Sequence, residues 1–227
     1  RSSITRAADR DRPLAGRPVS HILKFDMNWK VAGVITASLT AALAAAEPKY
    51  SQDFSKSNVG DPPEDIMVLD GQFTVREESG NKFLELPGSP LETFGVLFGP
   101  SNGVGVQAQA RIWGTKAGRK QPVFAIGLNG QGGFKLRVSP AKQAVELLKG
   151  EDVIASRPFQ WKSGEWTSLD LQIRAQGSGV VVEGKVWQGG SEPGEWSLRM
   201  EQPTAPPAGK AGVWGLPFSG TSLRFDD

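Results

Sequence analysis

Three stretches carry side chains able to bind and orient a polyhydroxylated ligand. In "VQAQARIW", strand alternation puts Gln107, Gln109, Arg111 and Trp113 on one face. In "VVEGKVW" the same rule gathers Val181, Glu183, Lys185 and Trp187, and in "LDLQIR" it gathers Asp170, Gln172 and Arg174. Amides, carboxylates and cations of this kind exchange hydrogen bonds with hydroxyl groups. A Trp on an otherwise polar face offers a flat apolar surface for the C–H side of a sugar ring. The candidate ligand-binding set is therefore Gln109, Arg111, Trp113, Asp170, Gln172, Arg174, Glu183, Lys185 and Trp187. The competing reading is a solvated face whose tryptophans are covered by loops or a neighbouring domain.

No catalytic set stands out. Beyond residue 46 the chain contains neither His nor Cys, because its single His is His21. That excludes a Ser-His-Asp triad, a Cys nucleophile and a Cys/His zinc site from the rest of the chain. Carboxylate chemistry remains open, with Asp170 and Glu183 as the pair to consider. Glu77 and Glu78 are adjacent and point to opposite faces of a strand, while Glu64, Asp65 and Asp70 lie in a loop-like context after "DPP". No cofactor is required by the sequence. Calcium is possible through hard oxygen ligands, with Asp226, Asp227, Asp61 and Asp65 as candidates.

The elements that position these residues are strands. "GQFTVREE", "TFGVLFG", "VFAIGLNG", "GFKLRVS", "EWTSLDLQIRAQ" and "GVVVEGKVWQGG" alternate apolar and polar residues, and "NGQGG", "QGSG" and "QGGSEPG" read as turns. About a dozen short strands follow, with no convincing amphipathic helix and no internal repeat. Trp166 and Trp214 read as core residues, and Trp161 and Trp196 as turn-flanking rim or core-edge residues. "LRFDD" reads as the start or middle of a last strand. The fold expected is all-β: a two-sheet antiparallel β-sandwich after an N-terminal signal helix.

The only long apolar stretch is Val31–Ala46, preceded by Lys30 and ending in "AALAAAEPKY". Its 16 residues fall short of the ~20 needed to span a bilayer. Ala44 and Ala46 fit the small-x-small rule, so Met27–Ala46 reads as a secretory signal cleaved near Ala46–Glu47. No Cys follows to take a lipid. The expected organisation is a basic upstream extension over 1–26, a signal over 27–46 and one sandwich domain over 47–227. Residues 1–46 hold seven of the 26 Lys/Arg and three of the 24 Asp/Glu. The remainder thus carries 19 basic against 21 acidic residues, net −2, against +2 for the whole chain. A positive field for nucleic acid is disfavoured. The expected location is secreted or periplasmic, with no stable membrane insertion after cleavage.

The order "GEWTSLDLQI", "GVVVEGKVWQ", "GKAGVWGLPFSGTSLRFDD" resembles the C-terminal half of concanavalin A-like jelly rolls, a superfamily that includes laminin G-like modules. The Gly-rich, exported style is also similar to domains of the 3-keto-disaccharide hydrolase-like type. The resemblance covers roughly residues 52–227 as architecture and implies a carbohydrate-related fold. Glucanases of the superfamily present E-x-D-x-E or E-x-D-x-x-E on one strand, and this chain has no such strand. Three readings follow: an exported, non-catalytic lectin-like module whose partner is a polysaccharide or glycan; a carboxylate glycoside hydrolase; or a structural or adhesive envelope domain.

Overall fold

The structure is a computed structural model and describes residues 50–89 and 92–227. These belong to one compact unit spanning 46–227. The signal segment and the basic extension lie outside the described residues. Among the described residues no helix is long and apolar enough to cross a membrane.

The alternation seen in the sequence becomes two antiparallel sheets of seven strands each. The strands are β1 (Met67–Asp70), β2 (Thr74–Glu78), β3 (Asn81–Leu86), β4 (Phe94–Asn102), β5 (Val106–Gly114), β6 (Val123–Leu128) and β7 (Phe134–Ser139). After a 3-10 turn at Pro140–Lys142 come β8 (Ala144–Lys149), β9 (Asp152–Pro158), β10 (Trp166–Gln176), β11 (Gly179–Gln188), β12 (Leu198–Gln202), β13 (Gly209–Leu216) and β14 (Leu223–Asp226). The first sheet runs β12-β11-β10-β5-β14-β3-β2, and the second β1-β4-β13-β6-β7-β8-β9. The all-β sandwich is as expected. One local assignment differs: Asp70 ends strand β1 rather than lying in a loop.

The core lies between the sheets. The first sheet contributes Leu169, Leu171 and Ile173 from β10 and Val180, Val182 and Val186 from β11; the second contributes Ile126 and Leu136 among others. Each fully buried aliphatic side chain adds about 1.5–3 kcal/mol to folding. Gly184 interrupts the valines of β11 for a steric reason: a Cβ there would stand 2.7 Å from Leu136 Cδ1 of the opposite sheet. The missing side chain is the slot that Leu136 fills.

Of the two tryptophans expected in the core, Trp214 is buried and Trp166 is not. Trp166 shares the phase of Ser168 and Asp170, because Leu169 and buried Thr167 take the inward positions; it is part-exposed on the outer face. Trp214 is buried but on the outer side of the second sheet, since Val213 points inward. Its ring lies over Gly95 and Gly127, where a Cβ would come within 2.6 and 2.5 Å of ring atoms. Large apolar residues suggested core, whereas strand phase decided the side.

Filling the Gly184 slot tests this packing. Gly184→Val overpacks the interface against Leu136 and is expected to cost about 1–3 kcal/mol. A thermal melt should then show Tm lower by about 2–4 °C per kcal/mol for a domain of this size.

Candidate functional site

The hairpin β10–β11 organises the candidate residues. It closes over the two-residue loop Gly177–Ser178, with Gly177 at φ +58°, and pairs without interruption from Gln176↔Gly179 to Thr167↔Gln188. Strand β5 pairs with the other side of β10 from Ile173↔Val106 to Trp166↔Trp113. Since Leu169, Leu171 and Ile173 face the core, the alternate residues of all three strands face outward.

All nine candidate residues fall on this outer face, in rows across the strands. One row is Gln107, Gln172, Glu183 and Arg199; the next is Gln109, Asp170 and Lys185. A third is Asp226, Arg111, Ser168 and Trp187, and a fourth is Arg224, Trp113 and Trp166. Arg174 lies beyond the first row, opposite Val181. Gln109 and Arg174 are exposed, while Arg111, Trp113, Gln172 and Trp187 are part-exposed. Asp170, Glu183 and Lys185 are buried although they face away from the core, at 0%, 1% and 8% exposure.

Each buried charge is held by partners on neighbouring strands. Glu183 accepts from Arg174 Nε at 2.9 Å and its NH2 at 3.2 Å, from Arg199 NH1 at 2.6 Å and from Gln172 Nε2 at 2.7 Å. The Arg174 hydrogen bonds lower the Glu183 carboxyl below its ordinary value, outweighing the upward effect of burial. Asp170 accepts from Gln107 Nε2 through both oxygens, at 2.9 and 2.8 Å, with Lys185 Nζ 3.7 Å from Oδ2. Burial dominates at Asp170 and raises its pKa, against the opposing pull of Gln107 and Lys185. Lys185 also pairs with Glu192 and lies 4.5 Å from the centre of the Trp196 ring.

At the other end of the face, cations stack on aromatic rings. The Arg111 guanidinium is 5.2 Å from the Trp166 ring centre. The Arg224 guanidinium is 4.4 Å from Trp113 and 4.6 Å from Phe83. Asp226, a calcium candidate from the sequence, accepts from Arg111 NH2 at 3.2 Å and Asn81 Nδ2 at 3.1 Å. Its pKa is raised by burial, with the Asn81 bond opposing. Among the described residues no three Asp or Glu come together to hold a metal ion.

Several residues of the face were not singled out by sequence: Phe83, Arg199 and Arg224, together with Trp166 and Trp196 in their observed roles. Phase within "SLRFDD" and "KFLEL" places Arg224 and Phe83 outward, but nothing local indicates that β14 and β3 lie beside β5. Trp196 belongs to the loop between β11 and β12 and carries no strand phase to read.

No protein-family model matches the chain, and no curated protein sequence matches it. Solved structures do match. The carbohydrate binding module CBM66 from Bacillus subtilis aligns with a TM-score of 0.50 and 13% identity, over 72% of this chain and 92% of that module. The carbohydrate recognition domain of Emp47p aligns with a TM-score of 0.48 and 9% identity, over 78% and 94% of the two chains. A Lotus tetragonolobus seed lectin aligns at 0.44 and 10%, over 73% and 94%. At such identities the likeness is one of fold. The chain has the two-sheet, concanavalin A-like β-sandwich fold that its sequence resembles.

The buried carboxylate of Glu183 yields a stability prediction. Glu183→Gln leaves Arg174 and Arg199 without their anion and is expected to cost about 1.5–3 kcal/mol at pH 7. The folded carboxyl titrates below its ordinary 4.5, so its stabilisation is complete above that value and is lost as pH falls through the lower, folded-state one. Thermal melts should show the Tm gap between wild type and variant widest near neutral pH and closing in acid.

Proposed function

We propose that the outer face of the first sheet binds a glycan chain and performs no chemistry on it. The observation that carries this reading is the cluster of part-exposed tryptophans, Trp113, Trp166 and Trp187, on three adjacent strands beside Arg111 and Ser168. Adjacent strands are about 4.8 Å apart, so rings on β11, β10 and β5 can meet successive sugar units of a chain crossing the strands. Gln109, exposed in the neighbouring row, supplies an amide for hydroxyl groups. Each buried carboxylate of the face is matched by a cation, which leaves no strong field of one sign. Such a surface suits a neutral polysaccharide. The fold shared with the carbohydrate binding module CBM66 agrees with this reading.

The hydrogen bonding of the carboxylate pair on the candidate strands supports a non-catalytic role. Asp170 and Glu183 are diagonal neighbours across β10 and β11, and Glu183 carries four donated hydrogen bonds, which leaves it no free oxygen to act beside Asp170. A glycosidase pair must flank the bond it cleaves and have one member within reach of its oxygen. The proposal includes export directed by Met27–Ala46, with residues 47–227 working outside the cytoplasm, where such polysaccharides are met.

Affinity electrophoresis of the purified protein on a panel of neutral polysaccharides tests the proposal, with calcium and with chelator. Retention by one class is expected. Trp187→Ala and Trp166→Ala should each weaken it about tenfold, the equivalent of ~1.4 kcal/mol of stacking. Retardation lost in chelator would add calcium to the site. No retention on any polysaccharide, with or without calcium, would overturn glycan binding in favour of a structural or adhesive role. Sugar release abolished by Asp170→Asn would instead make it a hydrolase.

A further inference from the structure

The loop joining β11 to β12, Gly189 to Ser197, folds over the outer face and is tied there through Lys185. Lys185 Nζ pairs with the Glu192 carboxylate and donates to the Pro193 carbonyl at 3.4 Å, and the Trp196 ring lies over it at 4.5 Å. Among the described residues, the polar contacts between this loop and the sheet all end on that ammonium group. The loop leaves β11 through Gly189 and Gly190, both in the left-handed region at φ +61° and +59°. A Cβ at either would meet nothing within 4 Å. The loop therefore has a flexible glycine pair at its root and a polar anchor at its middle, on Glu192 and Pro193.

Beneath the anchor lie the two groups that the loop removes from solvent. Lys185 has a side chain only 10% exposed, and Asp170 is completely covered, with Oδ2 3.7 Å from Nζ. An ammonium and a carboxylate at this separation offer a donor and an acceptor side by side. Two adjacent hydroxyls of a sugar ring match them: one donates to Asp170 while its neighbour accepts from Lys185. Gln107 already holds both Asp170 oxygens, so the acceptor is oriented before any ligand arrives. Gln109 continues the same row, and Trp187 stands two residues along β11 from Lys185 on the same face, next to the position a bound ring would take.

We propose that the Gly189–Trp196 loop is a clasp over a diol-binding subsite formed by Lys185 and Asp170, which opens to admit one unit of the glycan and closes with Trp196 against it. This deepens the glycan-binding reading and rests on it. In the closed state Glu192 and the Pro193 carbonyl occupy Lys185 in place of a ligand hydroxyl. A ligand must therefore exchange these contacts for its own.

Two measurements on the full chain separate the clasp from the glycan reading. The first is amide hydrogen exchange without ligand, comparing wild type with Lys185→Met and with Glu192→Gln. Both variants should speed exchange across residues 189–197, by about tenfold or more for Lys185→Met, as expected when a charged anchor is lost. Amides of β10 and β11 should be unchanged, which also shows that the variants fold. Loop exchange equal in all three proteins would overturn the clasp whatever the protein binds. The second is affinity for the polysaccharide retained in the panel. Asp170→Asn, a shape-conserving change, and Lys185→Met should each weaken binding at least about tenfold, and Trp196→Ala should speed association. Unchanged affinity in Asp170→Asn would overturn the subsite and leave glycan binding standing. A fast-opening loop on a protein that binds no polysaccharide would overturn both.

Discussion

The register of β10 between β5 and β11 is the constraint on which the rest of this structure depends. Ten consecutive pairs with β11 and eight with β5 place Leu169, Leu171 and Ile173 in the core, and the same pairing places Asp170 opposite both Lys185 and Gln109. A slip of one residue would exchange the two faces, burying Asp170 and Gln172 between the sheets and exposing the leucines. Core and outer face are thus two consequences of one choice. The cost of misregister falls on the core, at roughly 1.5–3 kcal/mol for each aliphatic side chain exposed, and the outer face inherits its precision from that penalty.

The outer faces are unusual in what they bury. Asp170, Glu183 and Asp226 on the first sheet, and Glu146 on the second, are all nearly inaccessible although none points into the core. Glu146 repeats the pattern of Glu183: burial pushes its carboxyl up, but bonds from Lys142, Ser139 and Arg137 bring it down to about 2. Burying a carboxylate costs several kcal/mol unless partners replace its water. Here the partners are supplied across strands, where facing side chains are close enough to meet. The result is a set of rigid rows rather than a fringe of mobile charged side chains. Groups held in this way lose little further freedom on binding a ligand, which favours recognition.

The two ends of the first sheet's outer face differ in character. Around Arg111 and Arg224 the guanidinium groups stack on Trp166, Trp113 and Phe83, and the two tryptophans remain part-exposed. Around Lys185 the polar groups are roofed by Trp196. In the proposed glycan reading, the apolar C–H side of a sugar would meet the aromatic end and its hydroxylated edge the Lys185–Asp170 end.

Much of this architecture was legible in the chain. The apolar alternation of "WTSLDLQIRAQ" and "GVVVEGKVWQ" determined which residues of β10 and β11 face the core, because period two is a local property of an extended backbone. Composition beyond residue 46 determined which chemistries are unavailable. Size misled where phase should have been followed, as with Trp166, taken for core, whereas Trp214 is buried as expected but against the outer side of its sheet. Only the tertiary structure decided that β14 and β3 complete the sheet beside β5, bringing Arg224 and Phe83 to Trp113, and that a glycine-rooted loop carries Trp196 onto Lys185. Residue 83 meets residue 224, and a buried lysine meets a loop without periodicity. Contacts of that kind depend on long-range strand order and loop path, which no local pattern of residues encodes.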